Sequence, residues 1–229
     1  MVKVWTYGNA GDRWPVAPGD VWKAGEHVLA CGDIENGAGE ELVRTHGVPD
    51  LVYTDPPWTP ALATGFRTKA GVPRQVDFEG LLERLVSVVS SCALGPVFIE
   101  MGLRWADRLS GMVQAAGGWE VRRWPITYYR TKPAVLLLFS FGWDAPCDRL
   151  DFTGLDDEHT PMAALDYYGY EGALVLDPFA GRGLTSEAAN NKGCRFLGLE
   201  LHPRRLAVAL AMLAECGLPP IKIGNLQRS

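Results

Sequence analysis

Two short apolar runs, far apart in the chain, each end in Asp-Pro, and this pair constrains the fold most. The first is Leu51-Val52-Tyr53-Thr54, followed by Asp55-Pro56-Pro57-Trp58. The second is Ala173-Leu174-Val175-Leu176, followed by Asp177-Pro178-Phe179-Ala180-Gly181-Arg182-Gly183-Leu184-Thr185-Ser186. Runs this short and this apolar read as strands buried on both faces, as in a parallel sheet. Open α/β sheets bind ligands at the carboxyl ends of such strands. Each motif therefore sets a carboxylate and a rigid proline where a ligand would sit.

The remaining pattern alternates strands with helices. Strands are predicted at residues 28–31, 51–54, 96–99, 173–176 and 195–199. Helices are predicted around 40–44 and at 78–91, 103–116, 160–168, 184–191 and 203–216. Leu81, Leu82, Leu85, Val88 and Val89 recur at helical spacing, and Gly117-Gly118 ends the third helix. The helix at 160 is expected to use Thr160 as its cap, with Pro161 in the first position. Runs 119–129 and 134–141 form a β-hairpin, although Arg130-Thr131-Lys132-Pro133 is not a favoured two-residue turn. Residues 59–76 show no period and read as a loop. Residues 1–25, rich in Gly, Pro and Trp, read as an irregular N-terminal arm whose Trp5, Trp14 and Trp22 pack on the body. Residues 26–229 then form one α/β domain with a doubly wound, mainly parallel sheet, leaving no room for a large separate recognition domain.

Composition narrows the function classes. With 47% hydrophobic and 21% charged residues among 229, the chain is a globular protein with one sizeable core. Five scattered cysteines without a C-x-x-C pair argue against a disulfide framework or a zinc site and for a reducing cytosol. The four histidines are equally dispersed, so no metal is expected. The first residues lack the apolar stretch of a signal peptide, and no run reaches the length of a membrane span. A cytoplasmic protein of bacterial or phage type, without a membrane partner, is the expectation. A net charge of −5 excludes a generally basic nucleic-acid coat. Local cationic patches remain, at Arg67, Lys69 and Arg74 in an acid-free stretch and at Arg130 and Lys132 in the hairpin. A nucleic-acid face and ordinary solvated charge both fit them.

The two motifs point to definite chemistry. Gly181 and Gly183 let the backbone turn tightly beside a ligand, and the following helix opens with N–H groups suited to a carboxylate. Glu200, ending the next predicted strand, is placed to accept ribose hydroxyls. The loop is neither G-x-G-x-x-G nor a P-loop; with the helix N-terminus and Glu200 it suits a ligand that has an amino-acid end and a nucleoside end. A plain strand-to-helix turn is the competing reading; the preceding Asp-Pro-Phe and the following Glu200 weigh against it. At the other motif, the carboxylate of Asp55 and the carbonyl of Pro56 can each accept one N–H from an exocyclic amine of a base. Those bonds favour a pyramidal nitrogen with its lone pair available. Pro57 stiffens the turn, and Trp58 offers a face to an extruded base. Glu100, at a strand's carboxyl end, fits either a place in the cleft or the surface.

In this order the motifs resemble the S-adenosylmethionine-dependent amino-methyltransferases, the DNA N6-adenine and N4-cytosine family, in their beta-type arrangement. The likeness runs over residues 28 to 214. It implies a circularly permuted Rossmann-like methyltransferase fold and S-adenosylmethionine as cofactor. It assigns Asp55, Pro56, Pro57 and Trp58 to catalysis and Asp177, Phe179, Gly181, Gly183, Thr185, Ser186 and Glu200 to the cofactor. Gly32-Asp33 looks like the segment whose aspartate takes the cofactor's adenine amine. His159-Thr160-Pro161-Met162 is similar to the segment completing that pocket, with Thr160 standing where the family carries lysine. Aspartate at 55 suggests adenine N6, since N4 enzymes usually have serine there; tryptophan at 58 also occurs in RNA adenine relatives. The implied function is methylation of adenine N6 in DNA. The alternatives are an RNA adenine-N6 or DNA cytosine-N4 enzyme, or a non-catalytic methyltransferase-like subunit that binds nucleic acid. A second copy or a recognition partner would supply further contacts. Pro146-Cys147 also matches the nucleophile dipeptide of cytosine C5 enzymes, but their partner motif and motif order are absent.

Overall fold

The apolar runs become the strands of one sheet. The computed structural model describes residues 6–72, 77–143 and 147–226; Trp5, Arg74 and Pro146 lie outside these. In chain order the elements are α1 (Tyr7–Arg13), β1 (Asp20–Ala24), β2 (His27–Cys31), α2 (Ala38–His46), β3 (Leu51–Thr54), α3 (Pro60–Lys69), α4 (Phe78–Cys92) and β4 (Val97–Gly102). Then come α5 (Leu103–Ala115), the hairpin β5 (Trp119–Tyr128) and β6 (Lys132–Ser140), α6 (Thr160–Tyr168), β7 (Leu174–Asp177), α7 (Leu184–Asn191), β8 (Arg195–Glu200), α8 (Pro203–Glu215) and β9 (Ile221–Asn225). The strands lie in the order β5-β6-β4-β3-β7-β8-β2-β1-β9.

The five central strands, β4-β3-β7-β8-β2, are parallel, and both flanks are antiparallel. Helices α2, α4 and α5 bury one face of the sheet, and α1, α6, α7 and α8 bury the other. From β3 the chain builds outward to β4; from β7 it builds the opposite way to β8. The order therefore reverses between β3 and β7, and the crevice at such a switch point is where open sheets bind ligands. Asp55 and Asp177 flank it.

Four expectations need correction. Within the predicted irregular arm, the described residues 6–25 are not irregular throughout. Thr6 and Asn9 cap α1 reciprocally, and β1 pairs with β2 in antiparallel register, Trp22 opposite Leu29. Four of the five β1 residues are buried, so no alternation marks it as a strand; Trp14 and Trp22 do enter the core. The 59–76 stretch is not a loop throughout, because Thr59 caps α3, its Oγ1 accepting the Leu62 N–H at 3.2 Å. Helix α3 buries only Ala63 and Arg67, and so carries no apolar stripe. Strand β9 is not among the predicted strands, its residues being mostly exposed at the sheet edge. Finally, His159 rather than Thr160 occupies the cap of α6, and Thr160 is the first helical residue.

Candidate active site

Thr54, the last residue of β3, reaches across the switch point. Its hydroxyl donates to Asp177 Oδ1 at 2.7 Å, tying the two strand ends together. Asp177 also accepts the Phe179 N–H at 3.0 Å and the Thr185 hydroxyl, on Oδ2, at 2.7 Å. Burial pushes its carboxyl up to about 6 against the opposing pull of these bonds. Asp177 and Thr185 thus brace the loop and are engaged with each other. Ser186 likewise donates to the Gly183 carbonyl at 2.7 Å. Gly181 and Gly183 hold φ of 58° and 98°, and a Cβ on Gly183 would lie 2.8 Å from Ala209 Cβ. Only glycine fits that close approach of the loop to α8.

A cavity of about 410 Å³ runs along the carboxyl ends from β8 to the hairpin tip. Its first end is lined by Asp33, Phe66, Phe179, Glu200 and Arg205. Glu200 is buried; Oε1 accepts the His202 N–H at 2.7 Å, and Arg205 Nε stands 3.8 Å from Oε2. Burial raises its carboxyl above the ordinary range, with Arg205 opposing. The Arg205 guanidinium lies over the Phe66 ring at 4.7 Å. Sequence reasoning missed this arginine; its signal was the place in the first turn of α8, directly above the end of β8.

The second end holds Asp55, Pro56, Pro57 and Trp58 with Arg104, Tyr128, Tyr129 and Lys132. Asp55 is open to the cleft on one side and walled by protein elsewhere. That desolvation, then the charge of Glu100, pushes its carboxyl well above the ordinary range. The Trp58 indole N–H donates to Asp55 Oδ1 at 2.7 Å and pulls in the opposite direction. Trp58 also tilts against Tyr128, with centroids 4.8 Å apart, and backs onto Gly102. It therefore fixes the carboxylate as well as offering a face. Glu100 is not a surface residue: it is 1% exposed and stands behind this wall.

Further predicted placements change. Arg67 is 4% exposed and cannot reach a phosphate. Its Nη2 donates to Asp33 Oδ2 at 2.8 Å and Nη1 to Oδ1 at 3.2 Å, with Glu35 as a second carboxylate partner. Thr160 and Pro161 are buried away from the cavity lining, and Thr160 donates to Glu100 Oε1 at 2.6 Å. Lys69 is exposed at the end of α3, off the cavity. Arg130 is solvent-facing, 3.5 Å from Asp156, at a hairpin tip where Tyr129 and Arg130 take φ of 48° and 60°. These two left-handed residues belong to the three-residue connection between Tyr128 and Lys132, built without glycine or asparagine. The Tyr129 N–H donating to Asp157 at 3.0 Å helps hold that strained turn over the cavity.

No family model matches the sequence, and no curated protein matches it. Solved structures do. TTHA0409 from Thermus thermophilus, described as a putative DNA modification methylase complexed with S-adenosyl-L-methionine, superposes with a TM-score of 0.63 at 22% identity, covering 89% of this chain and 99% of that one. M1.HpyAVI gives 0.61 at 16% identity, covering 81% and 98%. The chain has the DNA-methyltransferase fold. The cytosine-N4-specific PvuII DNA methyltransferase shares it at 0.54 and 13% identity, covering 85% and 89%. The cavity lies at the switch point between β3 and β7, where Asp55 and Asp177 follow or end their strands.

Proposed function

We propose that the protein transfers a methyl group from S-adenosylmethionine to the N6 amine of adenine in DNA. One observation carries the reading: the Thr54–Asp177 bond ties the two strand ends together, and Asp55 shares one cavity with Pro178 and Phe179, the residues that lead into the glycine loop. S-adenosylmethionine supplies an electrophilic methyl group on a sulfonium centre. The residues fit its two halves. Glu200 lines the cavity, with Arg205 Nε 3.8 Å from its Oε2 and the backbone N–H groups of His202 and Gly181 also against the carboxylate, and as an acceptor it suits ribose hydroxyls. Arg205 suits a carboxylate beside the glycine loop, where its Nη2 lies 2.7 Å from the position of a Gly181 Cβ. Asp33, although held by Arg67, keeps lone pairs for an adenine amine.

At the other end, Trp58 occupies one side of Asp55 Oδ1 and leaves Oδ2 to accept an amine N–H. The Pro56 carbonyl accepts the second. Alkylation makes the remaining N–H acidic, so the site needs orientation rather than a strong base. Tyr129, Arg104, Lys132 and Arg130 surround the mouth with aromatic and cationic groups suited to an extruded base and its phosphates. Aspartate at 55, where N4 enzymes carry serine, supports adenine.

Transfer of labelled methyl to DNA and to RNA, followed by nucleoside analysis, tests the reading. N6-methyladenine in DNA is expected; N4-methylcytosine, product in RNA alone, or no transfer with cofactor bound would each overturn it. Two variants sharpen it. Trp58→Phe keeps a ring but loses the N–H donated to Asp55, so kcat should fall about tenfold. Because that N–H favours the ionised carboxylate, the acid limb of the pH–rate profile should move to higher pH. Arg130→Gly removes one phosphate contact and relieves a left-handed residue. The salt dependence of DNA binding should flatten by about one unit of slope, while thermal stability stays the same or rises.

A further inference from the structure

The buried carboxyl of Glu100 has no task in the mechanism above, yet it stands next to the group that does. Strands β3 and β4 pair with Tyr53 opposite Phe98 and Thr54 opposite Ile99. Continuing that register one residue beyond the end of β3 brings Asp55 alongside Glu100, on the side of the sheet that carries Tyr53 and Phe98. The Tyr53 hydroxyl donates to Glu100 Oε1, so Glu100 does lie on the Tyr53 side of the sheet. Thr160, at the start of α6, donates to the same oxygen at 2.6 Å. Oε2 is buried and has no partner among the described residues. A chain that wanted only packing here would carry leucine, since an unmatched buried carboxyl oxygen is costly.

We propose that Glu100 is a positioning residue for the methyl transfer: a second carboxyl group, in register with Asp55, whose charge sets the pH at which Asp55 becomes an acceptor for the amine. The inference rests on the proposed reaction at that site. Two neighbouring carboxyls, one buried and one at the cleft, do not ionise independently; they share a proton over a range of pH. Two hydroxyl donors on Oε1 favour the ionised form of Glu100, against its burial. Burial prevails and leaves that group at about 7. The other charged and titratable groups facing the pair are Tyr53 from β3, Tyr128 from β5, Asp157 ahead of α6, Asp177 from β7 and Arg205 from α8, with Arg104 and Lys132 lining the same cavity. Arg205 favours ionisation of Asp55 by its charge. Glu100 is the neighbouring charge that acts most strongly on Asp55.

The test is a carbon-13 carboxyl titration of Asp55 in the full-length protein, assigned with Asp55→Asn, which needs no enzymatic activity. In Glu100→Gln the midpoint of Asp55 should fall by about one pH unit or more, the shift expected from removing a nearby like charge. The acid limb of the methyl-transfer profile should move the same way. Thr160→Val, which removes one donor that favours ionised Glu100, should give a smaller shift in the same direction, and it serves if Glu100→Gln fails to fold. An unchanged Asp55 midpoint in a folded variant overturns the proposal. A shifted midpoint in a protein that transfers no methyl group would instead overturn the proposed function, while the coupling of the two carboxyls would stand.

Discussion

Asp55→Ala should lower kcat for methyl transfer roughly 1,000-fold while leaving cofactor affinity within about twofold. The reason is geometric. Asp55 lines the same cavity as Glu200 and Arg205, the residues proposed to hold the cofactor, but its hydrogen-bond partner is Trp58 and not either of them. Removing the carboxylate takes away an acceptor for the amine and touches nothing at the nucleoside end. Asp55 is open to the cleft, so its loss creates no closed void and the fold should survive. Steady-state kinetics with cofactor titration by calorimetry checks both halves. A variant that lost cofactor binding and transfer together would mean that Asp55 belongs to the cofactor site.

Arg67→Ala should cost about 3 kcal/mol of stability, a large effect for a residue that sequence reasoning places on the surface. Arg67 is the buried cation between two carboxylates, Asp33 and Glu35. Its removal strands both of them at the end of β2, where water reaches them only partly. Asp33 would then lose its fixed orientation, so cofactor affinity should weaken as well. Urea denaturation measures the first effect and cofactor titration the second. A fully stable variant would show that the pair contributes nothing net. Arg67→Lys should recover little, because one ammonium cannot span two carboxylates as a guanidinium fork does.

The parallel core was legible because its signals are local. Short apolar runs ending in Asp-Pro specify buried strands with polar ends, and the periodic helices α4 and α8 fall within a residue of their expected bounds. What escaped had no local signal. Strand β1 is buried on both faces and hides its alternation, whereas β9 exposes both faces. Helix α3 buries an arginine instead of a leucine stripe, so its cap residue Thr59 was the one clue. At the site, the same limit held. The strand-end residues were readable, but the partners of Arg67, Thr160 and Glu100 come from distant segments and depend on the sheet being closed. The role of Trp58 as a donor to Asp55 needed the turn geometry of Pro56-Pro57, which composition does not report.

The most direct test of the central claim is the structure of the protein crystallised with S-adenosylmethionine. The ribose should rest on Glu200 and the methionine end beside Gly181, with the donor methyl directed along the cavity toward Asp55. Cofactor density outside the β3–β7 crevice, or a methyl group facing away from Asp55, would contradict it.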